Sequence, residues 1–334
     1  MPRRKKPRFS HSPGKRLRGQ SMRKNPSFLG LLLILAMFAA FYLLRESGLF
    51  SDDLNLSGEF AVHFIDIGQG DSILIQSANE FMLIDTGSGS EYPKLANYLE
   101  HFGVREFRYV VFTHPHEDHI GSAHRIVREF DIGSLIMPSA VNNTAAFRNL
   151  VEAIEDRNVR ITLAEPGNTH RLGEAEFMIL APLSEGHANL NNYSVVILMN
   201  YGHTRFLFTG DMERQSENEL ISFAEENLLD ISADVLKVAH HGSRSSSQNS
   251  FLDLIRPRIA VIQVGADNSY NHPHPQVVEN LENIGAEIIR TDLHGDIIIS
   301  SDGRRLTVHT SRGNYTGRFM PAPETEPEPE MPED

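Results

Sequence analysis

From Phe60 to about Thr310 the apolar residues fall in short runs separated by polar or glycine-rich breaks. AVHFIDI and DSILIQ flank the glycine turn GQGD, and FMLIDTG follows. This pattern predicts three strands joined by tight connections. Tyr92–His101 has helical spacing, RYVVFT reads as a strand, and residues 120–130 and 142–158 read as helices. Further strands are predicted at 159–163, 175–180, 193–200 and 204–209, followed by a polar-faced helix over 213–227. ADVLKVA, IAVIQVG, EIIRT, DIIIS and RLTVHT complete the strand set, with a helix near 275–284. Helices interspersed with both hairpins and longer crossovers imply a layered α/β fold.

The N-terminal part follows a different pattern. Residues 1–27 hold ten Lys/Arg and no acid and are rich in Pro, Gly and Ser, which predicts a disordered basic tail. The run Phe28–Leu44 has no charge, so residues 28–45 are expected to form a transmembrane anchor, with a cleaved signal segment as the alternative. The basic flank belongs in the cytoplasm, which predicts a single-pass protein of the cell membrane with the rest outside, or a secreted one after cleavage. Residues 46–58 read as a linker and 59–312 as the folded domain. The proline- and glutamate-rich end, 313–334, reads as a disordered acidic tail.

The chain has no cysteine, which excludes disulfides and thiolate metal ligands. Its net charge of -13 conceals the basic tail; residues 28–334 carry 44 acids and 21 bases. An acidic domain argues against general electrostatic adhesion to nucleic acid.

The candidate chemistry sits where strand-like runs end. THPHEDHIG, after RYVVF, gathers His114, His116, Asp118 and His119 within six residues. Imidazole nitrogen and carboxylate oxygen suit a divalent transition metal such as zinc or manganese. FLFTGD ends at Asp211, DVLKVAHHGS carries His240 and His241, and IAVIQVGADNSYNHPHP leads to His272 and His274. Each run taken alone has a plainer reading. The nonapeptide could be a polar surface bend, Asp211 a helix cap, and Pro273 and Pro275 a turn with His274 capping the next helix. Recurrence favours the functional reading, because strand ends in α/β sheets collect at one edge, where ligands bind. Asp66, Gln69 and Asp71 form a loop near such a site, or a turn braced by Asp side chains.

THPHEDHIG resembles the HxHxDH signature of the metallo-β-lactamase superfamily. HFIDIGQGDSILIQ, LIDTG, NNYSVVI, FLFTGD, LKVAHHGS, NSYNHPHP and RTDLHGDIII resemble one branch of it, the hydrolase domain at the end of the competence DNA-uptake protein ComEC. The similarity runs over about residues 60–310, without ComEC's many-helix channel portion. It implies an αββα sandwich of two mixed sheets flanked by helices. It also implies a centre of one or two divalent ions, zinc or alternatively manganese. His114 and His116 would hold the first ion, Asp118 and His119 the second, and Asp211 would bridge them. One of His240 and His241 would complete the second site, and the other would stand near the leaving group. His272 would line the pocket and donate a proton or bind the substrate anion. Asp85 would orient a ligand histidine, as outer-shell carboxylates do in metal sites.

One departure from the superfamily pattern bears on the first ion. Where many members supply a third histidine, this chain has Asn191, Asn192 and Ser194, with His187 nearby. The implied chemistry is hydrolysis by a metal-activated water, with Asp118 orienting the nucleophile and His240, His241 or His272 protonating the leaving group. A phosphodiester is the expected substrate, with nucleic acid as a candidate class. Hydrolysis of a cell-envelope ester or lactam is the enzymatic alternative. A metal-binding sensor module without turnover is the non-enzymatic one.

Overall fold

The computed structural model describes residues 60–313 and 315–319. The expected basic tail, anchor and linker lie outside the described residues. Among the described residues, no helix is long and apolar enough to cross a membrane.

Two mixed sheets pack face to face. The first takes strands β1 (Phe60–Phe64), β2 (Ile73–Ser77), β3 (Glu80–Ile84), β4 (Glu106–Val111), β5 (Asp131–Met137) and β6 (Ile161–Leu163) side by side. Beyond β1 come β14 (Ile297–Ser301), β15 (Leu306–Thr310) and β16 (Thr316–Phe319). The second sheet runs β7 (Thr169–Leu172), β8 (Ala175–Ala181), β9 (Val196–Tyr201), β10 (Thr204–Phe208), β11 (Val235–Lys237), β12 (Ile259–Ile262) and β13 (Glu287–Arg290). Each sheet is antiparallel at one end and parallel at the other. β3 to β6 are parallel in the first, and β10 to β13 in the second.

Strand periodicity builds the layers. Phe60, Val62 and Phe64 of β1 face Phe177, Phe206 and Phe208 of the other sheet across the central core. Removing such a ring from a packed core costs about 3–5 kcal/mol. The alternate residues face outward and are also covered. Leu74, Leu83, Val110 and Leu135 pack under α1 (Tyr92–His101), α2 (Glu117–Ile120), α3 (Ala123–Glu129) and α4 (Ala145–Arg157). Leu207, Leu236 and Ala260 pack under α5 (Arg214–Glu226), α6 (Asn249–Ile255) and α7 (Pro275–Asn283). The central strands are buried on both faces, so they read as continuous apolar runs rather than alternating ones. The order helix, sheet, sheet, helix is the expected αββα sandwich.

Helix limits follow local chemistry. The Thr144 side chain accepts from Phe147 N at the start of α4, and left-handed Asn158 (φ 52°) ends it. His274 caps α7, its Nδ1 accepting from Gln276 N at 3.2 Å, with Pro275 at the first helical position.

Several elements depart from the sequence expectation. β5, β7 and α6 were not anticipated, because DIGSLIM opens polar and carries an internal glycine, THRL is a short polar edge and NSFLDLI is under two helical turns long. β16 lies beyond the expected domain boundary at 312. It draws its order from pairing with β15, which its own composition does not advertise. The single helix expected over 120–130 is two, α2 and α3. They break at Gly121, where a Cβ would come within 2.3 Å of Gly89 N.

Candidate metal centre

The parallel strands aim the candidate residues at one edge. Asp85 follows β3, and Thr113–His119 follow its parallel neighbour β4. Asp211 follows β10, Lys237 to His241 end β11, and the loop to His272 follows β12. Both sets stand at the carboxyl ends of parallel strands, where an α/β architecture gathers its ligands. Gly70 lets the GQGD turn close on this edge. Its φ is +135°, a Cβ would meet Asp118 O at 2.2 Å, and Asp71 N donates to that same carbonyl at 3.2 Å.

The side chains converge on Asp211. Its Oδ2 lies 3.1 Å from His119 Nε2, 3.5 Å from His241 Nε2, 3.8 Å from His240 Nε2 and 3.9 Å from His114 Nε2. Asp118 Oδ2 is 3.4 Å from His241 Nε2 and 3.9 Å from His119 Nε2. Asp118, His119, Asp211 and His241 thus each offer one ligand atom within 4.8 Å of one another. His114 Nε2 and His116 Nδ1 face each other at 2.9 Å beside this group.

Backbone conformation separates the two histidines of HHGS. His240 (φ 50°), His241 (φ 54°) and Gly242 (φ 81°) are all left-handed, costly for the two non-glycine residues and typical of functional sites. The bend sends consecutive imidazoles apart. His241 is buried, and its Nδ1 donates to Gln263 O at 2.9 Å, which points Nε2 toward the cluster. His240 is partly exposed, with Nδ1 3.2 Å from Glu213 Oε1. His272 stands beside it, ring centroids 5.5 Å apart, and stacks on the exposed Tyr270.

Outer contacts hold the cluster. Asp85 Oδ2 lies 2.8 Å from His119 Nδ1, and Asp85 also accepts from Thr113 N and Oγ1. Burial raises the Asp85 pKa above the ordinary carboxylate value even though His119 opposes this. Asp71 lies in the pocket wall, 3.4 Å from His241 Nδ1. Burial raises its pKa and the charges of Lys237 and His241 lower it, and lowering wins.

The residues fit a cation. The Nε2 atoms of His119 and His241 and the Oδ1 of Asp211 are buried without hydrogen-bond partners. Such orphaned atoms are costly unless something pairs with them. Burial works against protonating His119 and His241, yet the carboxylates around them, Asp211 first, hold both well above the ordinary histidine pKa. Asp211 is correspondingly held low, burial being overcome by His119 and His241. The cluster therefore collects positive charge wherever it is available. His114 is pushed down by burial and by His119, so it is a neutral imidazole, the form that ligates.

Not every candidate takes part. His187 is buried against Tyr193, with Nε2 3.6 Å from Glu219, and does not substitute for the missing histidine. Ser194 Oγ takes the place beside His114 Nδ1, at 3.4 Å, and accepts from Asp211 N. Asn191 is buried, donating to Glu213 Oε1 at 3.1 Å, and its Oδ1 has no partner. Asp66 turns outward to Lys94 and Arg312, and Gln69 accepts from Gly265 N, so both brace the loop. Two pocket residues escaped the sequence reading, Lys237 and Glu213. A lysine inside the apolar run VLKVA was the available signal for the first. Glu213 reads as an ordinary residue before a helix.

Residues 65–265 match the model of the metallo-beta-lactamase superfamily. The chain belongs to this superfamily. Among curated proteins it is similar to ComE operon protein 3 of Bacillus subtilis, 30% identical over 260 residues, covering 72% of this chain and 33% of that protein. It is also similar to Recombination protein 2 of Haemophilus influenzae, 28% identical over 260 residues, covering 76% of this chain and 30% of the other. The chain spans about a third of these relatives. These matches agree with the ComEC-like branch indicated by the motifs. A solved superfamily fold, YhfI of Bacillus subtilis, aligns with a TM-score of 0.49 at 13% identity, covering 73% of this chain and all of that one. Members of the superfamily are generally metal-dependent hydrolases, and the His/Asp cluster supplies candidate ligands here.

Proposed function

We propose that the chain is a metal-dependent phosphodiesterase acting on an anionic substrate, with nucleic acid the candidate class. The observation that carries this reading is the convergence of partnerless Nε2 atoms of His119 and His241 on Asp118 and Asp211. Those four residues would hold one ion. His114 and His116, with Asp211 shared, would hold a second, for which Ser194 and Asn191 offer only neutral oxygens. A bound divalent cation supplies an ionised water at neutral pH and neutralises charge developing on the phosphoryl oxygens.

The chain's own residues supply positioning and proton transfer. Asp118 is the most exposed carboxylate of the cluster, which suits it to orient the attacking water. Glu213 accepts a hydrogen bond from His240 Nδ1–H, which would present Nε2–H as the proton donor to the departing oxygen. His272 is held neutral by burial first and by His240 and His241 next, its pKa lowered to about 4, so it suits contact with substrate rather than fixed charge.

The Haemophilus influenzae relative is named a recombination protein, which supports a nucleic-acid substrate. The acidic composition argues for a locally bound strand rather than broad electrostatic grip. The apolar segment 28–45 is proposed to anchor the domain on the outer side of the cell membrane.

The test assays the full chain, with and without chelator, against single-stranded DNA, bis-p-nitrophenyl phosphate and a chromogenic cephalosporin. Chelator-sensitive cleavage of the phosphodiesters alone is expected. Cleavage of the cephalosporin alone would replace this reading with the lactam alternative. Bound metal with no turnover of any of the three would favour the sensor.

A further inference from the structure

Lys237 is a buried charge that the proposed reaction does not use. It ends β11 with its side chain fully excluded from water. A buried charge is costly unless paired and hydrogen-bonded. Its ammonium lies against Asp71 Oδ2, donates to Gly210 O at 2.9 Å, and is 3.8 Å from Asp211 Oδ1. The two oxygens of Asp211 are therefore divided. Oδ1 faces the lysine, and Oδ2 faces the imidazoles of His114, His119, His240 and His241. Asp71, Asp85 and His119 form a second group close enough to hold a cation, and the Lys237 ammonium already stands against it.

We propose that Lys237 is the pocket's own counter-cation: it holds Asp71 and Asp211 together before a divalent ion enters, and it opposes that ion's binding by fixed repulsion. The inference rests on the reading that the cluster holds a metal. Buried carboxylates repel one another strongly in a low dielectric, so the metal-free pocket needs an internal positive charge. An entering ion neutralises the same carboxylates. Lysine and metal therefore compete for one negative charge field. A change that destabilises the empty pocket more than the loaded one must tighten metal binding, by linkage.

Two variants give opposite signs. Lys237→Met removes the repulsion and leaves Asp71 uncompensated, which lowers the thermal midpoint of the metal-free chain and tightens metal binding. Asp71→Asn keeps the lysine and removes one carboxylate, which loosens it. A lysine serving packing alone would lower the stability of both forms equally and leave affinity unmoved. Competition between the stripped full chain and a chromogenic chelator for Zn²⁺ reads the affinities. The expected result is binding about tenfold tighter or more in Lys237→Met and about tenfold weaker or more in Asp71→Asn. Shifts in the same direction, or shifts under about twofold in both, overturn the proposal. If Lys237→Met does not fold when stripped, Asp71→Asn alone decides, and unchanged or tighter binding overturns it. A wild-type chain that takes up no Zn²⁺ removes the metal reading and this inference together. A wild type that binds while neither variant differs removes this inference alone.

Discussion

Asp85 Oδ2 lies 2.8 Å from His119 Nδ1, and this contact decides which nitrogen of His119 faces the pocket. The carboxylate accepts a hydrogen bond from Nδ1–H, which turns Nε2 into the pocket, 3.1 Å from Asp211 Oδ2. Asp85→Asn keeps the shape but can present an amide donor to Nδ1, which favours the wrong tautomer. Metal affinity should fall about 10–100-fold, as it does when outer-shell partners of ligand histidines are lost. Chelator competition on the folded variant measures it. Unchanged affinity would mean that the tautomer is set elsewhere.

Adjacent histidines should separate binding from turnover. His241→Ala removes a ligand atom from the buried cluster, and the variant should lose metal on dialysis. His240→Ala should keep its metal and lose about 10²–10⁴-fold in kcat, the usual contribution of a general acid. The loss should be smaller for a p-nitrophenolate leaving group, which departs without a proton, than for an alkoxide. Glu213→Gln should reproduce the leaving-group pattern in milder form. Metal content and kcat on the two substrate types check this, and metal loss in His240→Ala would reverse the assignment of the pair.

His63 should give the fold an acid-side stability slope independent of the metal. It is buried under Phe102 and Tyr98, its Nε2 has no partner, and burial lowers its pKa from 6.5 to about 3. The unfolded chain takes up this proton near pH 6.5, while the folded chain resists it down to about pH 3. The contribution is whole above pH 6.5 and is lost as pH falls toward 3, by up to about 1.4 kcal/mol per pH unit. His63→Phe keeps the aromatic packing and should flatten that slope. Urea midpoints of metal-stripped wild type and variant on the acid side of neutrality compare the two, and parallel slopes would contradict the account.

The sequence made the layers legible because the central strands are buried on both faces and announce themselves as apolar runs. It also made the ligand cluster legible, because His114, His119, Asp211 and His241 all follow such runs. Three things were out of reach for physical reasons. The choice between His240 and His241 depends on two left-handed residues, and sequence carries no signal for positive φ at histidine. Glu213 matters only because the bend at His240 turns an imidazole toward it. β16 is ordered by pairing with β15, a long-range effect invisible in TGRF itself. Lys237 was legible in principle, as a charge inside a run otherwise bound for the core.

The account rests on Asp211 being the shared carboxylate of a cation-holding cluster, and metal content tests this most directly. The full chain and Asp211→Asn are dialysed against metal-free buffer after loading with Zn²⁺, then analysed for bound metal by elemental analysis. Stoichiometric metal retained by the wild type and lost from the variant, with both chains folded by circular dichroism, is the predicted result. A wild type that retains no metal, or a variant that retains as much as the wild type, would contradict it.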